Sequence, residues 1–262
     1  MRRALKVRRV GHAGTLDPFA SGLLIVLVGR ATRLSQFLIG LPKSYEGVVQ
    51  LGSETDTDDP TGSMVRGAPA ADGLADGTIA QAMAGLTGRL MQQPPAFSAK
   101  HVEGRRAHQL ARRGEDVTLG AQEVTVDRFD MVERAGDRVR FAAEVSSGTY
   151  IRALARDLGR ALGCGAHLAE LRRTRVGSFP VEEAVKMGAL ENGAPELRAP
   201  LQAVAHLPQV ELDVEFRDKA VHGQAIAAHS EARHVALVHG GQLVAVAEPA
   251  GDLLKPRVVL EG

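Results

Sequence analysis

Asp17 is the acidic side chain whose setting is best suited to chemistry on a substrate. It lies in the loop Gly11-His12-Ala13-Gly14-Thr15-Leu16-Asp17-Pro18, which is followed by Ser21-Gly22 and an apolar run. The glycines allow another backbone to approach closely, and the apolar run anchors the loop on the core. A carboxylate held so rigidly suits a nucleophile. An aspartate that closes an Asx turn before a proline is the alternative, and spacing alone leaves both open.

A second acidic cluster, formed by Asp56, Asp58 and Asp59, loosely suggests a calcium loop. It lacks the glycine and the twelfth-position glutamate of an EF-hand, so turn and capping roles are expected and no metal site is assigned. The sequence also lacks the signatures of P-loop ATPases, dinucleotide-dependent redox enzymes, zinc peptidases and α/β-hydrolases. Its single cysteine, Cys164, excludes an internal disulfide and a Cys-x-x-Cys zinc site. Chemistry without a cofactor, or no chemistry, is expected.

Basic residues are concentrated in three stretches, although the formal net charge is only +1. The stretches span residues 1–16, 100–113 and 152–175, whereas acidic residues gather in residues 54–76. Any one basic stretch is typical of a solvated helix face. Three of them together favour a phosphate-bearing partner.

Hydrophobic periodicity predicts the elements that position these residues in the first half of the chain. Leu23 to Val28 is typical of a strand buried on both faces, and Tyr45 to Leu51 alternates as a second strand. Residues 53–77 are rich in Asp, Gly, Pro and Ala and predict a long surface excursion. A helix is expected from Asp76 or Thr78, with the apolar positions Ile79, Met83, Leu86 and Leu90.

The second half of the chain contains the clearest helix, Ile151 to Leu162. Its apolar stripe packs on one side, while Arg152, Arg156 and Arg160 recur at i, i+4 and i+8 on another. Glu123 to Met131 and Arg138 to Val145 predict a strand pair before it. The tail predicts a small β-rich module, with Gly240-Gly241 as a hairpin turn. Its expected strands are Val210 to Val214, His234 to Val238, Leu243 to Ala247 and Arg257 to Leu260.

The longest aliphatic run, Leu23 to Val28, is too short to cross a bilayer. The basic N-terminus has no apolar region of a secretory signal behind it, so a cytoplasmic protein is expected.

Six motifs follow one another along the chain and carry a resemblance. They are Gly11 to Leu24, Lys43-Ser44-Tyr45-Glu46, Thr55-Asp56-Thr57-Asp58, Gln93-Pro94-Pro95-Ala96-Phe97-Ser98-Ala99, Ser147-Gly148-Thr149-Tyr150-Ile151-Arg152 and Leu171-Arg172-Arg173-Thr174. Together they closely resemble, in order, the motifs of the bacterial tRNA pseudouridine synthase B family. The resemblance runs from about Arg9 to Glu182. It is weaker in the tail, which is similar to an RNA-binding PUA module.

The resemblance implies an α+β pseudouridine synthase fold, with a central mixed, mostly antiparallel sheet flanked by helices and a small C-terminal β-rich PUA-like module. The catalytic domain would span residues 1–206, with a thumb-like RNA-binding insertion at about 93–121, and the module residues 207–262. The implied function is isomerisation of uridine 55 in the TΨC stem-loop of tRNA to pseudouridine, without cofactor or metal. The partner would be tRNA, and a monomer is expected.

The resemblance also implies roles for single residues. Asp17 matches the family's nucleophile, and Arg152 matches the arginine that pairs with it. Tyr45 matches the residue that stacks on the flipped base and is a candidate to relay a proton. His12 matches the histidine that fills the gap left in the RNA stack, and Leu171 an apolar wall of the uracil pocket. By residue type alone, Arg152 would be a surface helix residue and Tyr45 an ordinary strand tyrosine. His12 would be a loop histidine and Leu171 a core leucine.

The candidates for phosphate contact are Arg33, Lys100, Arg105, Arg106 and Arg173. Family members normally carry a longer segment before the Gly-His motif, with an Asp-Lys-Pro-x-Gly run. Here Met1 lies only ten residues before Gly11. A late start codon or a truncated chain is expected, and loss of that strand would open a sheet edge. Two other functions stay open: a non-catalytic RNA-binding or tRNA-folding protein on the same fold, and a glycoside or nucleoside hydrolase with paired carboxylates.

Overall fold

The computed structural model describes residues 1–67, 73–95, 97, 101–102, 105–106, 120–191, 193 and 195–260. Within these residues the helices are α1 (Arg2–Leu5), α2 (Ser35–Ile39), α3 (Asp76–Ala84), α4 (Ile151–Ala161) and α5 (Val214–Val221). Short 3-10 helices cover Gly29–Leu34, Val181–Glu183, Met187–Glu191 and Pro200–Val204. None of the described helices is long and apolar enough to cross a membrane.

Strands occur along most of the described chain. In chain order they are β1 (Val10–His12), β2 (Ser21–Gly22), β3 (Val26–Val28), β4 (Lys43–Leu51), β5 (Ser53–Thr55), β6 (Met64–Gly67), β7 (Gly88–Gln92), β8 (His101–Val102), β9 (Arg105–Arg106), β10 (Gln122–Ala135), β11 (Arg138–Val145), β12 (Ala166–Val176), β13 (Phe179–Pro180), β14 (Gln209–Glu211), β15 (Ile226–Ala227), β16 (Val235–His239), β17 (Gln242–Ala250) and β18 (Leu253–Val259).

The chain divides into two compact units, each built from separate stretches of sequence. The central unit, named for its place in the chain, comprises residues 16–23 and 40–184. The terminal unit comprises residues 1–15, 24–39 and 185–262. These boundaries differ from the expected division at residue 206, because residues 1–15 and 24–39 group with the end of the chain.

The central unit contains a seven-stranded sheet in the order β13-β12-β4-β11-β10-β7, with β2 paired to β12. The β2–β12 pair is parallel and the other pairs are antiparallel, which confirms the expected mixed, mostly antiparallel sheet. Apolar side chains on one face of the sheet, such as Val49 and Phe141, pack with Leu154 and Leu158 of α4. Helix α4 is thereby fixed against the strands that carry Tyr45, Leu171 and Arg173.

The terminal unit contains a five-stranded sheet in the order β14-β16-β17-β18-β15 and the two-stranded pair β1–β3. Leu34 and Phe37 pack on Ala236, Val238 and Val246 of the five-stranded sheet. The expected hairpin turn is confirmed, since Gly240 and Gly241 both have positive φ, 56° and 76°. The sheet also holds α5, whose N-cap Asp213 accepts a hydrogen bond from the Phe216 N–H.

Several expected elements are confirmed and others are wrong. Strand β4, the β10–β11 pair and helix α4 lie where the sequence predicts them. The six-residue strand at Leu23 to Val28 is wrong: only Val26–Val28 is a strand, it pairs with β1, and Leu24 is exposed. The helix that begins at Asp76 ends at Ala84, and Leu90 lies in β7 instead.

Candidate active site

Asp17 and Arg152 come together in the central unit. Asp17 lies in the loop before β2, and Arg152 is the second residue of α4. Arg152 Nε donates to Asp17 Oδ2 at 3.1 Å and Nη2 donates to Oδ1 at 3.1 Å. The arginine side chain is 6% exposed and the aspartate side chain 30%. This bidentate pair fixes the orientation of the carboxylate while leaving part of it open to a substrate.

Arg152 is held by all five of its N–H groups. Besides the two bonds to Asp17, Nη1 donates to the Thr57 carbonyl at 3.0 Å and to Asp59 Oδ2 at 3.4 Å. Nη2 also donates to the Phe97 carbonyl at 3.1 Å. A guanidinium has five N–H donors in a fixed plane, so these contacts set the plane in which Asp17 is bound.

Asp59 is itself fixed by the turn around it. Its Oδ1 accepts hydrogen bonds from Thr57 Oγ1 at 2.7 Å and from the Thr61 N–H at 2.9 Å. Its carboxylate therefore has two tasks, closing the turn and accepting a bond from Arg152. The prediction of a turn role for Asp59 covers only the first of these tasks.

The row of arginines on α4 faces the acidic segment at residues 54–59. Arg156 Nη1 donates to Asp58 Oδ2 at 3.0 Å, and Arg160 Nη2 donates to Glu54 Oε2 at 3.2 Å. Glu54, Asp58 and Asp59 are buried, so the expectation of a surface excursion at residues 53–77 is wrong at these positions. The spacing i, i+4, i+8 was the available signal, because each arginine on such a row needs an acceptor if the row is buried.

Asp58 combines an unusual backbone with a shifted proton equilibrium. Its φ is +58°, a left-handed conformation that few residues other than glycine adopt. Burial raises the pKa of its carboxyl from 3.8 to about 6, although the Arg156 charge opposes this shift. The backbone conformation turns the chain so that Thr57 presents its carbonyl to Arg152 and Asp58 presents its carboxyl to Arg156.

Tyr45 lies on β4, where it joins the buried cluster that includes Leu171 and Ile151. Burial raises the pKa of its phenol, and the Asp17 charge raises it further, whereas the charge and a hydrogen bond of Arg173 lower it. The phenol is thus close enough to Asp17 for the two groups to interact electrostatically. Leu171 is 7% exposed in β12. Asp17, Tyr45, Arg152 and Leu171 all belong to the central unit.

Arg173 does not lie at the surface position that a phosphate contact requires. Its residue is 1% exposed, and its Nε donates to the Leu23 carbonyl at 2.8 Å. It stands directly opposite Tyr45 in the β12–β4 register. The burial of Arg173 does not fit the phosphate contact that the sequence predicts for it.

The remaining candidates belong to the terminal unit or lie outside the described residues. His12 is exposed in β1 of the terminal unit. Arg33, in the same unit, donates from Nη1 to the Val259 carbonyl at 2.7 Å and so supports the end of β18. Lys100 lies outside the described residues, as do the side chains of Arg105 and Arg106.

One cleft of the described residues is lined by Leu171 but not by Asp17, Tyr45 or Arg152. Its volume is about 660 Å³, and it is lined by Glu46, Val48, Arg140 and Arg172 among others. Glu46 and Val48 point to the sheet face opposite Tyr45, because successive strand residues alternate. Among the described residues no group of three or more His, Cys, Asp or Glu side chains is arranged to hold a metal ion.

Comparison with known proteins matches most of the chain to domains of pseudouridine synthases. Residues 2–151 match the model of the TruB family pseudouridylate synthase N-terminal domain, and residues 152–204 match the tRNA pseudouridylate synthase B C-terminal domain. The tRNA pseudouridine synthase B of Aromatoleum aromaticum is 43% identical over 257 residues, covering 96% of this chain and 83% of that protein. The protein of the same name from an Arthrobacter species is 42% identical and covers 99% and 90%.

A solved structure supports the fold. The structure titled "Crystal Structure of a Cbf5-Nop10-Gar1 Complex" aligns with a TM-score of 0.74 and 26% identity, over 98% of this chain and 78% of the other. The two matched domain models together span more than half of the chain, and the paired Asp17 and Arg152 lie within them. This chain therefore belongs to the TruB family and is a tRNA pseudouridine synthase B, an isomerase.

Proposed function

We propose that this protein converts uridine 55 in the TΨC stem-loop of tRNA to pseudouridine, with Asp17 as the nucleophile and without a cofactor. The observation that carries the proposal is the bidentate Asp17–Arg152 pair, whose carboxylate stays partly exposed. The phenol of Tyr45 lies within electrostatic range of that carboxylate. A fixed anion beside an aromatic ring and an apolar wall suits a reaction on a flipped pyrimidine.

The reaction is balanced as an isomerisation. The bond between N1 of uracil and C1′ of the ribose breaks, the base turns within the site, and a bond forms between C5 and C1′. C5 loses its proton and N1 carries one in the product. Asp17 either bonds to C1′ as the N1–C1′ bond breaks and leaves when C5 attacks C1′, or takes the proton from C2′ to give a glycal and returns it to C2′ when C5 bonds to C1′. Both routes use an anionic carboxylate oxygen beside the ribose.

The side chains of the protein orient the reacting groups and surround the base with apolar contacts. Arg152 orients the Asp17 carboxylate through two charge-assisted hydrogen bonds. Tyr45 stacks on the extruded base, and Leu171 forms an apolar wall of its pocket. Flipping the base costs a few kcal/mol, which these contacts must offset. His12 would fill the gap left in the RNA stack, while Arg33, Lys100, Arg105 and Arg106 would contact phosphates. A tRNA substrate implies a cytoplasmic protein, and we expect a monomer.

Replacement of the nucleophile tests the proposal. We expect Asp17→Asn to abolish tritium release from tRNA labelled at C5 of uridine, with RNA affinity kept within about tenfold, because the side chain acts in bond making. Asp127→Asn, at an exposed aspartate of β10, is the matched control and should keep full turnover. A transcript with cytidine at position 55 should release no tritium, because the other labelled uridines are not substrates. Unchanged turnover in Asp17→Asn would overturn the assignment.

The same assay separates the alternatives. A non-catalytic RNA-binding protein would bind tRNA without tritium release from the wild-type chain. A nucleoside hydrolase would release free uracil, and it would need a second carboxylate beside Asp17. The acidic group nearest in the described bonding network, Asp59, is bound to Arg152 instead.

A further inference from the structure

Arg173 occupies a position that connects two parts of the site. It is the largest of the fully buried side chains in the described residues, at 1% exposure. In the sheet it is the direct cross-strand partner of Tyr45. A buried guanidinium is costly unless it is bonded, so its contacts are expected to be specific and stiff.

On one side, Arg173 anchors the segment that carries Asp17. The Leu23 N–H donates to the Arg173 carbonyl at 2.8 Å, and Arg173 Nε donates back to the Leu23 carbonyl at 2.8 Å. The two residues are 150 positions apart in the chain. Gly22 lies so close that a Cβ there would come within 2.2 Å of the Arg173 carbonyl oxygen. Arg173 is thus one of the residues of β12 that fix the end of the short segment 16–23.

On the other side, Arg173 acts on Tyr45. Its charge and a side-chain hydrogen bond lower the pKa of the Tyr45 phenol against the effect of burial. The charge also reaches Lys43, two residues before Tyr45 on β4, whose pKa burial and Arg173 together lower to about 8. The charged groups that act on the phenol are therefore Arg173 and Asp17, with Lys43 beside Arg173.

We propose that Arg173 is a positioning residue that holds the Tyr45 phenol and the Asp17 segment in one arrangement. The proposal rests on the function proposed above only for its effect on turnover. It replaces the surface phosphate contact that the sequence predicts for Arg173. Because Arg173 acts through other residues, its loss should disturb Tyr45 in the free protein, where no RNA is present.

Tyrosine NMR tests this effect without any turnover. The chain has two tyrosines and no tryptophan, so labelling the tyrosine ring carbon that bears the hydroxyl gives two signals, which Tyr150→Phe assigns. We expect Arg173→Met to shift the Tyr45 signal at neutral pH, and Arg173→Lys to shift it less. Arg172→Met, at an exposed neighbour on the other face of β12, is the matched control and should leave it unchanged.

The outcomes separate the two proposals. An unmoved Tyr45 signal in a folded Arg173→Met protein overturns the positioning role, whatever the protein does to uridine. If Arg173→Met does not fold, Arg173→Lys gives the same comparison, since it keeps the charge and loses the planar donor pair. Tritium release that fails in the wild-type protein overturns the proposed function and leaves the NMR result valid.

A double-mutant cycle measures the effect on catalysis. We expect Arg173→Lys to lower kcat by about tenfold or more with little change in KM, because a misplaced group weakens the transition state more than binding. In the Tyr45→Phe background the same change should cost clearly less, since part of its effect passes through the missing hydroxyl. If the fold-loss of kcat in the double variant equals the product of the two single losses, Arg173 does not act through Tyr45.

Discussion

Individual arginines in this protein have different tasks from those that their clustering suggests. Arg152, Arg156 and Arg160 recur on one helix, which the sequence associates with a face offered to a polyanion. In the structure each of them is bonded to an acidic side chain in residues 54–59 or to Asp17. The charges of Arg152 and Arg156 are neutralised inside the central unit, so we expect RNA binding to depend on other cations.

Asp58 gives a prediction for the pH dependence of stability. Between its ordinary pKa of 3.8 and the raised value of about 6, the unfolded chain ionises Asp58 while the folded protein keeps it protonated. The contribution of Asp58 to the free energy of unfolding therefore falls as the pH rises through this window, and is flat above it. Asparagine does not titrate, and it tolerates a left-handed φ.

We therefore expect the Tm of Asp58→Asn, measured relative to wild type by circular dichroism, to increase between about pH 4 and pH 6. Above about pH 6.5 the difference should stay constant. Asp127→Asn should show no such trend. A Tm difference for Asp58→Asn that is independent of pH would contradict the prediction.

At the level of elements, local patterns are the part of the fold that the sequence predicts well. Strand β4 and the β10–β11 hairpin show alternation, and α4 shows a helical period, so short windows suffice. The prediction of a strand over Leu23 to Val28 is wrong because the length of a strand also depends on its partner. The partner β1 has only three residues, and the apolar run itself does not indicate this. Helix α5 was missed since its weak apolar stripe follows a short strand.

The candidate site was predictable only in part, for a related reason. The motifs place Asp17, Tyr45 and Arg152 in one site, as a resemblance allows. The acidic partners of α4 depend on bonds across long stretches of chain, such as Asp58 to Arg156 over 98 residues. The spacing of the arginines indicates that they need acceptors, but nothing local identifies Asp58 as a partner, and a segment rich in Asp, Gly and Pro is usually solvated.

The β2–β12 pairing gives a prediction at this scale. Gly22 has φ +98°, and a Cβ there would collide with the Arg173 backbone. We expect Gly22→Ala to displace the Asp17 segment and to lower kcat by about tenfold or more. Assays of turnover with purified protein would measure the loss of activity, and thermal melting would measure the loss of stability.

Gly88→Ala is the control for this experiment. Gly88 has a similar φ of +87° but has no neighbour within 4 Å of its would-be Cβ. It should lose only the conformational cost, about 1–3 kcal/mol of stability, and keep its activity. Equal losses of activity in the two variants would show that strain, and not the contact with β12, explains the Gly22→Ala result.

For the whole molecule, the terminal unit is assembled from three stretches of chain. Removal of residues 207–262 would leave Leu34 and Phe37 without Ala236, Val238 and Val246, on which they pack. Burial of two such side chains stabilises a fold by about 3–6 kcal/mol. A module added to a complete catalytic domain would leave no such gap.

We expect a chain that ends at residue 206 to bind a hydrophobic dye and to melt at a clearly lower temperature than the full chain. A chain that ends at residue 260 is the control and should melt as the full chain does. An unchanged, cooperative transition in residues 1–206 would show that the tail is dispensable for stability, and would favour the division into domains predicted from the sequence.

The contact of Arg30 Nη1 with the Leu260 carbonyl joins residues that are 230 positions apart. During translation the early apolar residues Leu34 and Phe37 must wait for partners that begin about 200 residues later, which takes on the order of 10–40 s at about 5–20 residues per second. During that time these apolar side chains of the nascent chain remain exposed outside the ribosome. Cells that make this protein quickly therefore place a demand on their chaperones, and expression at low temperature with added chaperone should raise the yield.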